Sequence, residues 1–219
     1  MRIAMRTVLV VSACLVPFAM SVLGQSASSK PATYITKEEI DTVNKQPGGD
    51  RQIKVVDIGH ENFAVGIVHR GATGAAARGA GGGGGAAARA NTPAPEPCGD
   101  KSATPPPAGA PSGLTHDHQT EGYYIVSGGG TMVTGGRIVN GRRSASDSAV
   151  TRELNGPSCS GPVIGADMVI RDVKAGDIII IPPNTVHGWV NIPDHVDYLS
   201  FRPSPGVLTA GYVHPSIKK

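Results

Sequence analysis

Aromatic side chains make up only 4% of this 219-residue chain, and charged ones only 17%. No Lys/Arg stripe runs interleaved with aromatics, so nothing suggests a nucleic-acid face. Cysteine is scarce, with three in all. Long apolar runs are missing beyond Thr7–Leu23. That run is short for a membrane span, which needs ~20 apolar residues, and Pro17 interrupts it. What the chain has instead is 30 Gly and 18 Pro. This composition suits a turn-rich β protein better than a helical bundle.

The first segment reads as a leader rather than as fold. Arg2 and Arg6 give a positive start, an apolar stretch follows, and Val22-Leu23-Gly24 offers small-residue cleavage chemistry. Residues 1–24 are therefore expected to be a signal peptide, and the mature protein exported to a periplasmic or extracellular setting with no stable membrane span. Val11-Ser12-Ala13-Cys14 offers a lipoprotein alternative, but the apolar stretch continues past Cys14. Cleavage removes two Arg and no acid, so a net charge of +3 becomes +1. Cys98 and Cys159 then remain; they could form a disulfide in an oxidising compartment or stay as two thiols.

Composition divides the rest. Residues 25–50 are a tether and one short helix, since Thr36 and Glu39 make a capping box for Lys37 to about Asn44. Residues 51–70 hold two strands, Gln52–Ile58 and Phe63–His69, patterned with period two. Residues 71–112 are almost entirely Gly, Ala and Pro and are expected to be a disordered insertion. Residues 113–205 are β-rich: Tyr123–Val126, a tight turn at Gly128–Gly130, Thr131–Thr134, Met168–Val173, Ile178–Ile181, Val186–Asn191 and Val196–Arg202. Arg142–Gly161 reads as a second polar loop, and 206–219 as a tail. About eight short strands suffice for an all-β barrel or jelly roll.

Four residues carry metal-binding chemistry. His116 and His118 are two apart, so on a strand both imidazoles face one side. Glu121 follows after a two-residue gap, and His187 arrives from a distant strand behind the Pro182-Pro183-Asn184 turn. Three imidazoles and a carboxylate suit one divalent ion such as Mn, Fe, Zn, Ni or Cu. Tyr123, Ile125 and Ser127 should share the face of Glu121, and Trp189 and Asn191 that of His187. Asp117 and Gln119 should face away, and His69 ends its strand on the apolar face, where it could approach the pocket. Tyr123 could donate a proton or orient a substrate oxygen; the alternative is a core tyrosine with a satisfied hydroxyl.

These residues resemble the cupin superfamily. Its first motif, G-x5-H-x-H-x(3,4)-E-x6-G, is matched by His116, His118, Glu121 and Gly128. Its second, G-x5-P-x-G-x2-H-x3-N, is matched by Gly176, Pro182, His187 and Asn191. The chain departs at Ala110, at a His118–Glu121 gap one residue short, and at Asn184 in place of Gly; if Glu121 does not ligate, a three-His site remains. The resemblance implies a double-stranded β-helix barrel holding a metal at one end, and it covers roughly residues 110–195. It also implies metal-dependent chemistry on a small oxygen-rich molecule, of dioxygenase, decarboxylase, lyase or isomerase type, with Glu121 and Tyr123 as catalytic candidates. A non-catalytic small-ligand or sugar-binding module is the alternative, and edge strands could support a homodimer.

Overall fold

Period-two patterning builds a first hairpin from β1 (Asp50–Asp57) and β2 (Asn62–Gly71). The remaining strands are β3 (Pro97–Cys98), β4 (Ser112–His116), β5 (Glu121–Thr134), β6 (Arg137–Ile138) and β7 (Gly141–Arg143). They are followed by β8 (Ser158–Ile164), β9 (Val169–Lys174), β10 (Ile178–Ile181), β11 (His187–Asn191) and β12 (His195–Ser204). This is a computed structural model, and it describes residues 31–73, 96–204 and 208–218. The proposed leader 1–24 lies outside the described residues. No helix among the described residues is long and apolar enough to cross a membrane.

Every strand pairing between named strands is antiparallel, and β5 joins two half-sheets. Its first half pairs with β10 on one side and β12 on the other. Its second half pairs with β9 and β11. Beyond these, β12 leads to β2 and β1, while β11 leads to β4, β8, β7 and β3. The inward faces meet in a core of Val68, Tyr123, Ile125, Met132, Val173, Ile181, Ile192, Val196 and Tyr198. A mostly antiparallel chain that folds back through both sheets in this order is a double-stranded β-helix.

Gly128–Gly130 was expected to turn; the chain instead runs through it as one 14-residue strand. Gly128 sits at φ 66°, where a Cβ would collide with the His195 carbonyl. The glycines let neighbouring backbones approach closely, and β5 passes from one sheet to the other there.

The short helix α1 (Lys37–Asn44) begins at the expected capping box, with Glu39 N donating to Thr36 Oγ1 at 3.2 Å and Thr36 N to Glu39 Oε2 at 3.1 Å. Val43 is fully buried against Ile53 and Ile67. Burial of that side chain is worth ~1.5–3 kcal/mol.

Four expectations need correction. The insertion 71–112 is ordered over 96–112, because Cys98 is disulfide-bonded to Cys159 and Pro97–Cys98 pairs with β7; residues 74–95 lie outside the described residues. The Arg142–Gly161 loop contains a π-helical turn, Val150–Asn155, and the start of β8. The tail packs on the fold: Val213 bridges to Lys54, and Ile217 packs against the cluster around Val43. Among the described residues twelve strands form rather than eight, since two-residue strands such as β3 and β6 leave no periodic signal.

Candidate metal centre

Strand β4 ends at His116, and its last side chain points inward, 3% exposed. Asp117 and His118 form a bend, so the alternation that would place His116 and His118 together stops there. His118 is exposed, while Gln119, expected to face away, is 1% exposed. The Asn184 backbone fixes this corner. It adopts φ 62°, its N–H donates to His116 O at 2.8 Å, and its side-chain amide donates to Asp117 O at 3.2 Å. Asn tolerates this left-handed conformation where most residues do not.

The structure brings together His116, Glu121 and His187, whose ligand atoms all lie within 4.8 Å of one another. His118 is not in this group. His116 and Glu121 are separated by four residues, which fits the three-to-four gap of the cupin motif if His116 is its second histidine. Leu114 then stands where the first histidine would be, directly across the ladder from His187.

Hydrogen bonds define the protonation of both imidazoles. His116 Nδ1 lies 3.0 Å from Asn155 O, and His187 Nδ1 lies 2.9 Å from Thr185 O. A carbonyl can only accept, so each Nδ1 carries a proton and each ring turns its Nε2 inward. These Nε2 atoms sit 3.1 Å and 3.2 Å from Glu121 Oε2. His187 Nε2 is buried and has no hydrogen-bond geometry to any partner. Two imidazole Nε2 atoms and a carboxylate oxygen therefore converge in a buried interior, with His116 Nε2 within hydrogen-bonding distance of Glu121 Oε2.

A divalent cation fits this arrangement. Donor atoms bound at ~2.1 Å and roughly right angles would lie ~3 Å apart, close to the spacings observed. Two imidazoles and one carboxylate are a donor set that leaves coordination positions open. Orienting each ligand histidine through a backbone carbonyl is how protein metal sites commonly fix the tautomer.

Glu121 is the most heavily bonded carboxylate here. Oε2 accepts from Tyr123 Oη at 2.8 Å; Oε1 accepts from Ser200 Oγ at 2.9 Å and Arg202 Nε at 2.7 Å. Burial opposes its charge. The Arg202 guanidinium foremost, with His116 and His187, nevertheless holds its carboxyl well below the usual carboxylate range. Arg202 is itself 2% exposed and reaches Asp50 Oδ2 at 2.7 Å. Burial pushes the Tyr123 hydroxyl well above its ordinary value, so it stays a proton donor to Glu121.

Arg202, Ser200 and Asp50 are the residues that sequence reasoning missed. The available signal was Ser200-x-Arg202 on the inward-facing positions of β12, where a buried strand should be apolar.

Other expectations divide. Tyr123, Ile125 and Trp189 pack in the interior, as the pattern implies. Ser127 does not, since a bulge between Asp197 and Tyr198 turns it outward to bond Asp197 Oδ2 at 2.8 Å. Asn191 is exposed for the same reason, a register shift after Trp189. His69 is half-exposed and pairs with Asp197 at 2.6 Å, away from the centre.

No family model matches the sequence, and no curated protein does. Solved structures do align. An uncharacterized conserved protein with a double-stranded beta-helix domain from Klebsiella pneumoniae shares 14% identity over 81% of this chain and 94% of its own, with a TM-score of 0.33. A cupin protein from Bacteroides fragilis shares 13% over 72% and 78%, with a TM-score of 0.26. KdgF from Halomonas sp. shares 15% over 72% and 82%, with a TM-score of 0.30. By its own strand order and registers the barrel is a double-stranded β-helix.

Proposed function

We propose that this barrel binds one divalent metal ion through His116, Glu121 and His187, and that the metal centre acts on a small oxygen-rich molecule. The observation that carries the reading is the buried meeting of two imidazole Nε2 atoms with the Glu121 carboxylate. A bound ion would supply Lewis-acid or redox chemistry. Arg202 and Ser200 orient Glu121 from Oε1, leaving Oε2 directed at the histidines. Tyr123, placed at sequence level as a catalytic candidate, serves here as a positioning residue, because its proton is committed to Glu121.

That same commitment favours a second reading, a non-catalytic ligand-binding module. Glu121 and Tyr123 are both occupied within the group, so neither is free to transfer a proton. Export to an oxidising compartment belongs to this proposal and is supported by the Cys98–Cys159 bridge.

Elemental analysis of protein purified from its native compartment tests the reading directly. About one first-row metal per chain is expected, lost in His187→Ala and retained in His118→Ala. Metal retained in His187→Ala, or lost only in His118→Ala, would refute it. Turnover of small hydroxy or keto acids, sugars or diketones by the loaded protein separates enzyme from binding module.

A further inference from the structure

A cavity of ≈ 310 Å³ opens beside β9 and β10, and its walls share strands with the candidate metal centre. Thr134 in its wall lies directly across the ladder from His187, Met132 from Trp189, and Ile179 from Tyr123. Side chains directly opposite one another on a sheet are neighbours at ~5 Å between Cβ atoms. The cavity is therefore about one side chain from His187, whose Nε2 has no hydrogen-bond partner.

The chemistry of this lining is uneven. Met132, Val173 and Ile179 give it an apolar wall. Asp177 is committed, since its Oδ2 accepts from Lys174 N at 2.9 Å. Asp172, one residue along β9, is bonded to Thr131 Oγ1 at 2.6 Å. Arg171 is the one basic residue in the lining, and among the described residues its guanidinium has no ion pair or hydrogen bond. An uncommitted guanidinium over an apolar wall matches a carboxylate carried on a short apolar body.

We propose that this cavity is the entry chamber of the metal centre and that Arg171 selects a small carboxylate as its ligand. The proposal rests on the metal reading for its destination, but not for its anion preference.

Trp189 is the chain's only tryptophan and faces Met132, so its fluorescence reports on the cavity wall. The full chain, with and without Zn2+, is titrated with pentanoate and with its uncharged analogue pentanamide. Pentanoate should bind about tenfold more tightly than pentanamide, as expected for a charge-assisted contact. Arg171→Gln, an exposed and fold-neutral change, should remove that preference and leave Zn2+ loading intact. Equal binding of acid and amide, no binding of pentanoate at all, or unchanged pentanoate affinity in Arg171→Gln would overturn the proposal. Pentanoate binding that vanishes with the metal yet ignores Arg171 would overturn it while sparing the metal reading. Failure of the wild-type chain to bind Zn2+ would instead strike the metal reading, and the Arg171 comparison would still be decided in the metal-free protein.

Discussion

Replacing Arg202 with Met should expose how much of this barrel depends on one buried charge group. Arg202 and Glu121 are each no more than 2% exposed and meet at 2.7 Å. Removing the guanidinium strands the Glu121 carboxylate in the interior. Breaking a buried pair from one side costs ~3–5 kcal/mol. With a urea m-value of about 2 kcal/mol/M, the midpoint should fall by roughly 1.5–2.5 M. Asp50, the other partner, is 20% exposed in its side chain and can hydrate, so it adds little to this cost. The double variant Arg202→Met, Glu121→Gln removes both charges and should recover most of the loss, giving a coupling of ~2 kcal/mol or more in a double-mutant cycle.

The pH dependence follows with a definite sign. In the wild type, the depressed Glu121 pKa contributes stability above its unfolded value of ~4.3, and that stability is lost as pH falls through the folded value. Without Arg202, burial dominates and raises the Glu121 pKa. The Arg202→Met deficit should therefore be greatest near neutral pH and shrink on acidification. A deficit that grows in acid, a cost under ~1 kcal/mol, or no rescue by Glu121→Gln would refute the account.

Adding Zn2+ or Mn2+ at about 100 times Kd should stabilise the wild type by ~2.7 kcal/mol, or about 5–11 °C in Tm; differential scanning fluorimetry should show no such shift in His116→Ala. Reducing Cys98–Cys159, which closes a loop of 61 residues in separation, should cost ~4 kcal/mol by loop entropy, read from urea midpoints with and without reductant. Gly128→Ala should be strongly destabilising, because φ 66° and the His195 carbonyl both exclude a Cβ, whereas Asn184→Gly keeps the left-handed backbone and should cost only about 1 kcal/mol, the lost bond to Asp117 O, in the same unfolding assay.

The barrel and two of its candidate ligand histidines were legible because both leave local marks. Period-two runs, a capping box and the Asn184 turn are written within a few residues of where they act. His118 misled because strand alternation was carried past the end of β4, into a bend whose geometry is fixed by Asn184, 66 residues away. Ser127 and Asn191 misled for a related reason, since a bulge inverts the side-chain pattern and depends on the partner strand. Arg202 and Asp50 were invisible because an ion pair between β1 and β12 has no sequence spacing to betray it.

The charges in this interior argue for what the centre would receive. Glu121 and Arg202 neutralise one another, and Asp50 adds one negative charge at the edge of the group. Imidazoles that ligate a metal are neutral and would contribute none. A divalent ion held here would leave the cluster with a net charge of about +1, in surroundings where uncompensated charge is costly. An anionic ligand removes that excess and a neutral one does not. The uncommitted Arg171 in the neighbouring cavity points to the same preference from a separate part of the fold. Had the carboxylate lacked Arg202, the bound centre would already be neutral, and a cavity lined by an open guanidinium would have no electrostatic reason to lead to it.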